Sequence, residues 1–218
     1  FLPARAHAQG INPPCGSILN WNNKPAANVG SADSNFSYGP VQRVDLFTPL
    51  VAARRKHTAA SLVGAMNRAA TQDLRVIEVW PVLREAILAG GTPPTGRTAE
   101  LGAILDDWRA KGGSRLDRDL DGKVDHPGAA IMDAAWPKLA DAVLAPVLGP
   151  LTDRLAALHG RSNDAGPNGS AYISGWYGYV DKDLRTQLGK PVRGAFSRRY
   201  CGGGSLAACT VSLRAALD

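Results

Sequence analysis

Apolar residues recur at helical spacing through the middle of this 218-residue chain. From Thr58, a candidate cap, the pattern predicts a helix, and a second helix is expected from about Asp73 to Leu88. Pro81 lies inside the second helix, so we expect a kink or a break there, because proline cannot continue the hydrogen-bond ladder. The remaining predicted helices are Thr98 to Ala110, Ala129 to Ala145 with an interruption at Pro137, Asp181 to Leu188, and Ser205 to Leu217.

The opening forty residues are rich in Pro, Asn, Gly and Ser, and they contain only short apolar stretches. One such stretch, Gly16 to Trp21, predicts a short strand between loops. A second loop, unusually long, is expected from Leu158 to Gly175. The chain therefore divides into a strand-and-loop segment (1–57), a helical body (58–160) and a long loop with C-terminal helices (161–218). The predicted fold class is α+β, mainly helical after a short strand-and-loop start.

Composition excludes several classes of protein. Hydrophobic residues make up 44% of the chain and charged residues 20%, an ordinary globular balance that excludes a disordered tail. The net charge of +6 includes two basic clusters, Arg54–His57 and Arg198–Arg199, which we interpret as solvated faces. Neither cluster has interleaved aromatic residues or a recognition motif, so we expect no nucleic-acid partner. No apolar run approaches the length of a membrane span, so we expect no membrane partner.

Three asparagines flank a tryptophan in the segment Asn20-Trp21-Asn22-Asn23. Asparagine is uncommon in strands and in buried cores, so secondary-structure propensity does not explain why three asparagines occur together here. In one interpretation these side chains form a turn, in which each amide bonds the nearby backbone. In the other they stabilise a developing oxyanion, because a primary amide offers two N–H donors and has no titratable group.

The pattern Gly16-x-Ile18-x-Asn20-Trp21-Asn22-Asn23-x-Pro25 resembles a motif in the β subunit of the penicillin acylase family. This resemblance implies the four-layer αββα sandwich of N-terminal-nucleophile hydrolases, and it implies hydrolysis of a linear amide through a serine acyl-enzyme. The similarity covers most of the chain and continues through Thr71–Arg75, Leu105–Trp108, Asp121-Gly122 and Pro127-Gly128.

By position within the resemblance, Asn22 corresponds to the asparagine that completes the oxyanion hole. Arg43 corresponds to the arginine that orients that asparagine. The alternative interpretation is that Arg43 is an ordinary surface arginine. The family's nucleophilic serine begins the β subunit, whereas this sequence starts at Phe1. We therefore expect a piece from inside the β subunit, whose partners are the upstream β-subunit part, the α subunit and a small amide substrate. The alternative is a non-catalytic acylase-derived module that binds calcium or a partner chain.

Four aspartates occupy alternate positions of a loop that resembles the start of a calcium site. Asp117, Asp119, Asp121 and Asp125 take its first, third, fifth and ninth positions, and glycine follows at the sixth. The twelfth position is Gly128 instead of the glutamate that completes such a loop. A bound calcium ion and a solvated aspartate turn both remain open, and the family resemblance does not support the calcium site.

Cys201 and Cys209 flank three glycines, a spacing that allows one disulfide bridge, with two reduced thiols as the alternative. The resemblance also implies the bridge, which would place the protein in the periplasm or outside the cell. Cys15 is then free or pairs with another chain. His57, His126 and His159 lack a paired spacing, so we interpret each as a surface or capping residue and predict no zinc site.

Overall fold

The computed structural model of the protein describes residues 3–24, 42–158, 160–161, 175–192 and 198–218. Within these ranges the regular structure is helical, and the only β pairing is an isolated bridge between Gln72 and Ser114. The α-helices in the described ranges are α1 (Gln42–Ala52), α2 (Ala59–Thr71), α3 (Trp80–Leu88), α4 (Gly96–Ala110), α5 (Pro127–Leu148), α6 (Leu151–Leu158), α7 (Tyr177–Gln187) and α8 (Leu206–Leu217). None of these helices is long and apolar enough to cross a membrane.

The chain forms two compact units, Phe1–Ala69 and Ala70–Asp218. In the first unit, the strand predicted at Gly16 to Trp21 is wrong: these residues form turns, bends and irregular backbone. The backbone of Gly16 has a φ of 73° and that of Asn22 a φ of 60°, values in the left-handed region that no extended strand adopts. Residues 3–24 therefore contain a 3-10 turn at Ala4–Ala6 and irregular backbone but no strand. Helix α1 within residues 1–57 was not predicted.

Helix α2 begins where the sequence predicts a cap. The Thr58 hydroxyl accepts a hydrogen bond from the Ser61 N–H at 3.2 Å, and the Ser61 hydroxyl accepts one from the Thr58 N–H at 2.9 Å. This reciprocal pair satisfies backbone donors that the first turn of a helix leaves without partners. The preceding residue, His57, contacts the Val51 carbonyl oxygen through Nε2 at 2.8 Å, and so connects the end of α1 to the start of α2.

The core of the second unit is built around α5, which packs against α4, α6, α7 and α8. The predicted interruption of this helix at Pro137 is wrong, because α5 runs unbroken through Pro137 and Pro146. An internal proline costs about 3 kcal/mol in an isolated helix. Here the helix is held by neighbours along its length, and burial of its apolar side chains outweighs that cost. Four fully buried tryptophans lie in this unit: Trp80, Trp108, Trp136 and Trp176.

The expected break at Pro81 is present as a change of helix type. A π-helix over Arg75–Val79 precedes α3, in which Pro81 occupies the first turn. Proline has no N–H and its ring crowds the carbonyl four residues earlier, which here belongs to Ile77. The wider π turn relieves this crowding. The Ile77 oxygen then accepts a hydrogen bond from Arg109 Nε of α4 at 3.4 Å, so helix α4 supplies a partner for it.

A network of two arginines and two aspartates joins the start of the π-helix to α5. Arg75 donates to both carboxylate oxygens of Asp73, through Nε at 3.0 Å and Nη2 at 2.6 Å, and to Asp133 at 2.5 Å. Arg115 donates to the same two aspartates at 2.9–3.0 Å. Asp73 and Arg75 are almost completely buried. Each buried charge is thus matched by opposite charges and by hydrogen bonds, as a dry interior requires.

The network changes the pKa values of Arg75 and Asp133. Burial by itself lowers the Arg75 pKa, but the charge and hydrogen bonds of Asp73 and the charge of Asp133 raise it above its ordinary value. For Asp133, burial favours the neutral acid, yet the hydrogen bond from Arg115 and the charge of Arg75 hold the pKa below its usual range. The pKa shifts of Arg75 and Asp133 therefore both favour the charged form, as expected for members of an ion pair.

A disulfide closes the turn that precedes α8 near the C-terminal end of the chain. Cys201 and Cys209 are joined, as predicted, with their Cα atoms 5.0 Å apart. The turn between them needs glycine at Gly202, where φ is 58° and an added Cβ would lie 2.4 Å from the backbone nitrogen of Cys209. Buried Asp183 of α7 accepts hydrogen bonds from the Tyr200 and Cys201 N–H groups at 2.7 and 3.0 Å.

We expect replacement of both Cys201 and Cys209 by alanine to lower the free energy of unfolding by about 2–3 kcal/mol, because the bridge restricts a short loop in the unfolded chain. Denaturant unfolding followed by circular dichroism measures this difference. Cys15→Ala is the matched control, since Cys15 is exposed and free, and it should leave the midpoint unchanged. Alkylation of Cys201 in the folded, non-reduced protein, detected by mass spectrometry, would contradict the bridge.

Candidate functional site

Two of the three asparagines in the segment form the local turn contacts of the first interpretation, and the oxyanion role stays a prediction for Asn22. The side chains of Asn20 and Asn23 act locally: Asn20 Oδ1 accepts from the Asn22 N–H at 2.7 Å, and Asn23 Oδ1 accepts from the Trp21 N–H at 2.9 Å. These contacts stabilise the bend at Asn22, whose left-handed backbone asparagine tolerates better than most residues. Two of the three amides therefore shape the turn, and the third, Asn22, lies at its exposed tip.

Arg43 holds the side chain of Asn22. It lies in the first turn of α1, and its Nη2 donates to Asn22 Oδ1 at 2.7 Å and to the Trp21 carbonyl oxygen at 2.8 Å. A guanidinium group can only donate, so it selects the oxygen end of the amide. The amide nitrogen of Asn22 is then the end that can donate to another molecule. Arg43 and Asn22 are 21 residues apart in sequence, and the fold brings them together.

This arrangement can stabilise negative charge on an oxygen atom. The Asn22 amide is neutral at all pH values, its oxygen is held by a permanent cation, and its N–H donors remain on an exposed residue. The hydrogen bond from Arg43 also polarises the amide and makes its N–H groups better donors. Such a fixed donor suits a reaction in which a carbonyl oxygen becomes an oxyanion.

The aspartate loop folds back upon itself. Asp117 accepts from the N–H groups of Asp121 at 3.1 Å and Gly122 at 2.8 Å, and Asp125 forms an ion pair with Arg118. The backbone N–H and side chain of Arg118 outweigh burial and hold the pKa of Asp125 below its ordinary value.

Three of the four predicted calcium ligands come together in this loop. Oxygen atoms of Asp117, Asp119 and Asp125 lie within 4.8 Å of one another, and Asp121 does not belong to this group. Arg118 already neutralises Asp125, and backbone donors already bind Asp117. The internal hydrogen bonds are compatible with a solvated aspartate turn and the three grouped carboxylates with a bound ion, so calcium binding here stays a prediction.

The histidines in the described ranges have structural partners. His126 caps the N-terminus of α5: its Nδ1 accepts from the Gly128 N–H at 3.0 Å, while Nε2 lies 3.0 Å from Asp107 Oδ2. The imidazole also stacks on Trp108 with an interplanar angle of 15°. His126 is thus a capping residue, as predicted. His57 contacts Val51 and Ser61, and residue 159 lies outside the described ranges.

Sequence reasoning missed the buried ion network of Asp73, Arg75, Arg115 and Asp133. A signal was present, because opposite charges at 73 and 75 flank an apolar residue within a helical pattern, and Asp133 lies on the most apolar predicted helix. Charged residues in such positions are buried only when they are paired. The sequence does not show which distant charges complete the pairing. The network stabilises the second unit, and Asn22 and Arg43 both lie in the first.

Comparisons with known proteins agree with the motif at Asn22. The profile of the family described as Penicillin amidase matches residues 1–199 of this chain. Among curated proteins, the Penicillin G acylase of Escherichia coli is 29% identical over 178 residues, which cover 80% of this chain and 20% of that protein. The chain thus spans about a fifth of the length of this relative. Because the family profile covers nearly the whole sequence, including the asparagine segment and Arg43, the chain belongs to the penicillin amidase family.

Proposed function

We propose that this chain supplies an oxyanion donor, Asn22, to a larger enzyme that hydrolyses linear amide bonds. The observation that carries the proposal is the 2.7 Å hydrogen bond from Arg43 Nη2 to Asn22 Oδ1, which leaves the amide N–H groups to face a ligand. Membership in the penicillin amidase family supports amide hydrolysis as the reaction. The E. coli relative is named as an acylase of penicillin G, which supports an acylated amine as the substrate class.

In the proposed reaction, a serine from another part of the enzyme attacks the amide carbonyl carbon, and its own α-amino group takes the hydroxyl proton. The carbonyl oxygen becomes an oxyanion, to which Asn22 Nδ2 donates a hydrogen bond. Collapse of the tetrahedral intermediate breaks the C–N bond, and the proton moves to the leaving amine. Water then attacks the acyl-enzyme, which releases a carboxylic acid and restores the serine. A penicillin side chain, a lipopeptide and an N-acyl homoserine lactone all offer such an amide.

We propose that the partners of this chain are the upstream β-subunit part, which carries the serine, and an α subunit. An exported location, periplasmic or secreted, is part of the same proposal. The disulfide between Cys201 and Cys209 supports it, since such bonds persist in oxidising compartments. The aspartate loop has no role in the proposed chemistry.

The test compares the 218 residues alone with the same residues joined to or mixed with the upstream portion. We expect release of the carboxylic acid from a chromogenic phenylacetyl amide only when the upstream portion is present. A control in which the serine of that portion is replaced by alanine should abolish the reaction. Hydrolysis by the 218 residues alone would overturn the assignment of the nucleophile to another segment. If the complete enzyme hydrolyses none of the three amide classes, the non-catalytic module becomes the better description.

A further inference from the structure

The indole ring of Trp21 contacts both Arg43 and Phe47 of α1 in the first unit. The guanidinium carbon of Arg43 is 5.5 Å from the centroid of the indole ring, within the range of a cation–π contact. On α1, Phe47 approaches the same ring edge-on, with centroids 6.4 Å apart and planes at 83°. The ring of Trp21, packed against Phe47, therefore contacts the cation that holds Asn22.

Hydrogen bonds hold Arg43 at one end of its guanidinium group. Both of its described bonds, to the Trp21 carbonyl and to Asn22 Oδ1, leave from one nitrogen, Nη2. A guanidinium group that bonds through two nitrogens, as in a bidentate pair, is held more firmly. The Nε atom is buried and has no hydrogen-bond partner among the residues that the structure describes. The ring of Trp21 supplies a further contact, with the guanidinium carbon 5.5 Å from its centroid.

We propose that Trp21 is a positioning residue for amide hydrolysis, which acts through Arg43 on Asn22. Its ring sets the plane of the guanidinium group, its carbonyl oxygen shares Nη2 with Asn22, and together they fix the direction of the Asn22 amide. This inference rests on the proposed role of Asn22. The competing description is that Trp21 only packs the first unit, in which case its loss lowers stability without a specific effect on catalysis.

The two descriptions differ in their kinetic consequences. Loss of the ring contact weakens a hydrogen bond that matters only in the transition state, so kcat falls while KM changes little. Loss of packing alone lowers the melting temperature and the amount of active enzyme, but it leaves kcat per folded active site intact. Active sites are counted by titration with a covalent serine inhibitor, so that kcat refers to folded enzyme only.

The experiment uses the complete enzyme with Trp21→Leu and Trp21→Phe. We expect Trp21→Leu to lower kcat about tenfold with KM within about twofold of wild type, and Trp21→Phe, which keeps a ring face, to recover most of the loss. The matched control is Trp176→Leu, which removes the other described contact of this kind, with Arg161 at 5.0 Å from the ring. It should lower stability but leave kcat per active site unchanged. Equal kcat for Trp21→Leu and wild type overturns the proposal.

A double-mutant cycle separates this inference from the proposed function. If Trp21 acts through Asn22, Trp21→Leu added to Asn22→Ala costs less than about twofold more in kcat. A full further tenfold loss in that background overturns the positioning role and leaves the role of Asn22 intact. If Asn22→Ala by itself leaves kcat unchanged, the proposed function fails and this inference fails with it. When the control variant Trp176→Leu does not fold, the cycle still decides, because it compares only variants of the first unit.

Discussion

Replacement of Asn22 by alanine in the complete enzyme is expected to lower kcat by about 10²–10³-fold, because it removes one fixed oxyanion donor. KM should change little, since the hydrogen bond strengthens as charge develops on the oxygen. The residue is exposed, so folding and maturation should still proceed, with only the modest backbone cost of alanine at a φ of 60°. Steady-state kinetics with a chromogenic amide, normalised to titrated active sites, measures the effect.

A matched control exists in the same unit. Asn12 is also exposed and also has a positive φ, 46° compared with 60° at Asn22. Asn12→Ala therefore imposes a similar backbone cost, and it removes no group that Arg43 holds. We expect its kcat to stay within about threefold of wild type, since effects far from the reacting atoms are small. A kcat for Asn22→Ala within that same range would contradict the role assigned to Asn22.

Replacement of Asp73 by alanine is expected to lower the free energy of unfolding of the second unit by about 3–5 kcal/mol. The side chain of Asp73 is fully buried and that of its partner Arg75 is 3% exposed, so the change leaves a cation in a dry site with only Asp133 to pair it. A loss of this size is a large fraction of the roughly 5–15 kcal/mol that stabilises an ordinary domain. Urea unfolding monitored by tryptophan fluorescence reports it, because four tryptophans are buried in this unit.

The control for this measurement is Asp153→Ala. Asp153 also pairs with an arginine, Arg161 at 3.2 Å, but its side chain is 91% exposed. Exposed pairs contribute little, so we expect a change of less than about 1 kcal/mol. A double substitution, Asp73→Leu with Arg75→Met, should recover part of the loss, because Arg115 and Asp133 still pair with each other. Equal destabilisation by Asp73→Ala and Asp153→Ala would show that the network contributes no more than a surface pair.

Local patterns predicted most of the helices in the second unit. The apolar spacing that predicts Thr98 to Ala110 and Ser205 to Leu217 corresponds to α4 and α8, with ends within about two residues, the usual scatter of helix boundaries. Helix caps can also be recognised from the sequence. The hydroxyl groups of Thr58 and Ser205 both accept hydrogen bonds from the first turns of the helices that follow them. Caps and apolar stripes depend on residues three or four positions apart, and such neighbours are visible in the sequence.

Errors arose where distant contacts override local rules. The rule that proline interrupts a helix holds at Pro81, where the chain forms a π turn, and fails at Pro137, where packing on several sides keeps α5 continuous. Helix α1 was missed, and it also contains an internal proline, Pro49. The short strand at Gly16 to Trp21 was expected from an apolar pair, Ile18 and Leu19, yet the flanking glycine and asparagine bend the backbone instead. The prediction of a long loop from Leu158 to Gly175 falls mostly outside the described ranges.

By itself, the sequence determined the family, the mainly helical character, the cysteine pair and the two residues, Asn22 and Arg43, on which the proposed chemistry rests. Only the tertiary structure decided what each amide does: Asn20 and Asn23 bond the local backbone, whereas Asn22 is held by Arg43 of α1. It also decided that Asp73 and Arg75 join Arg115 and Asp133 in one buried network. The physical reason is that a hydrogen bond depends on the distance and direction between two groups, and residues 21 or 58 positions apart acquire these only when the chain folds.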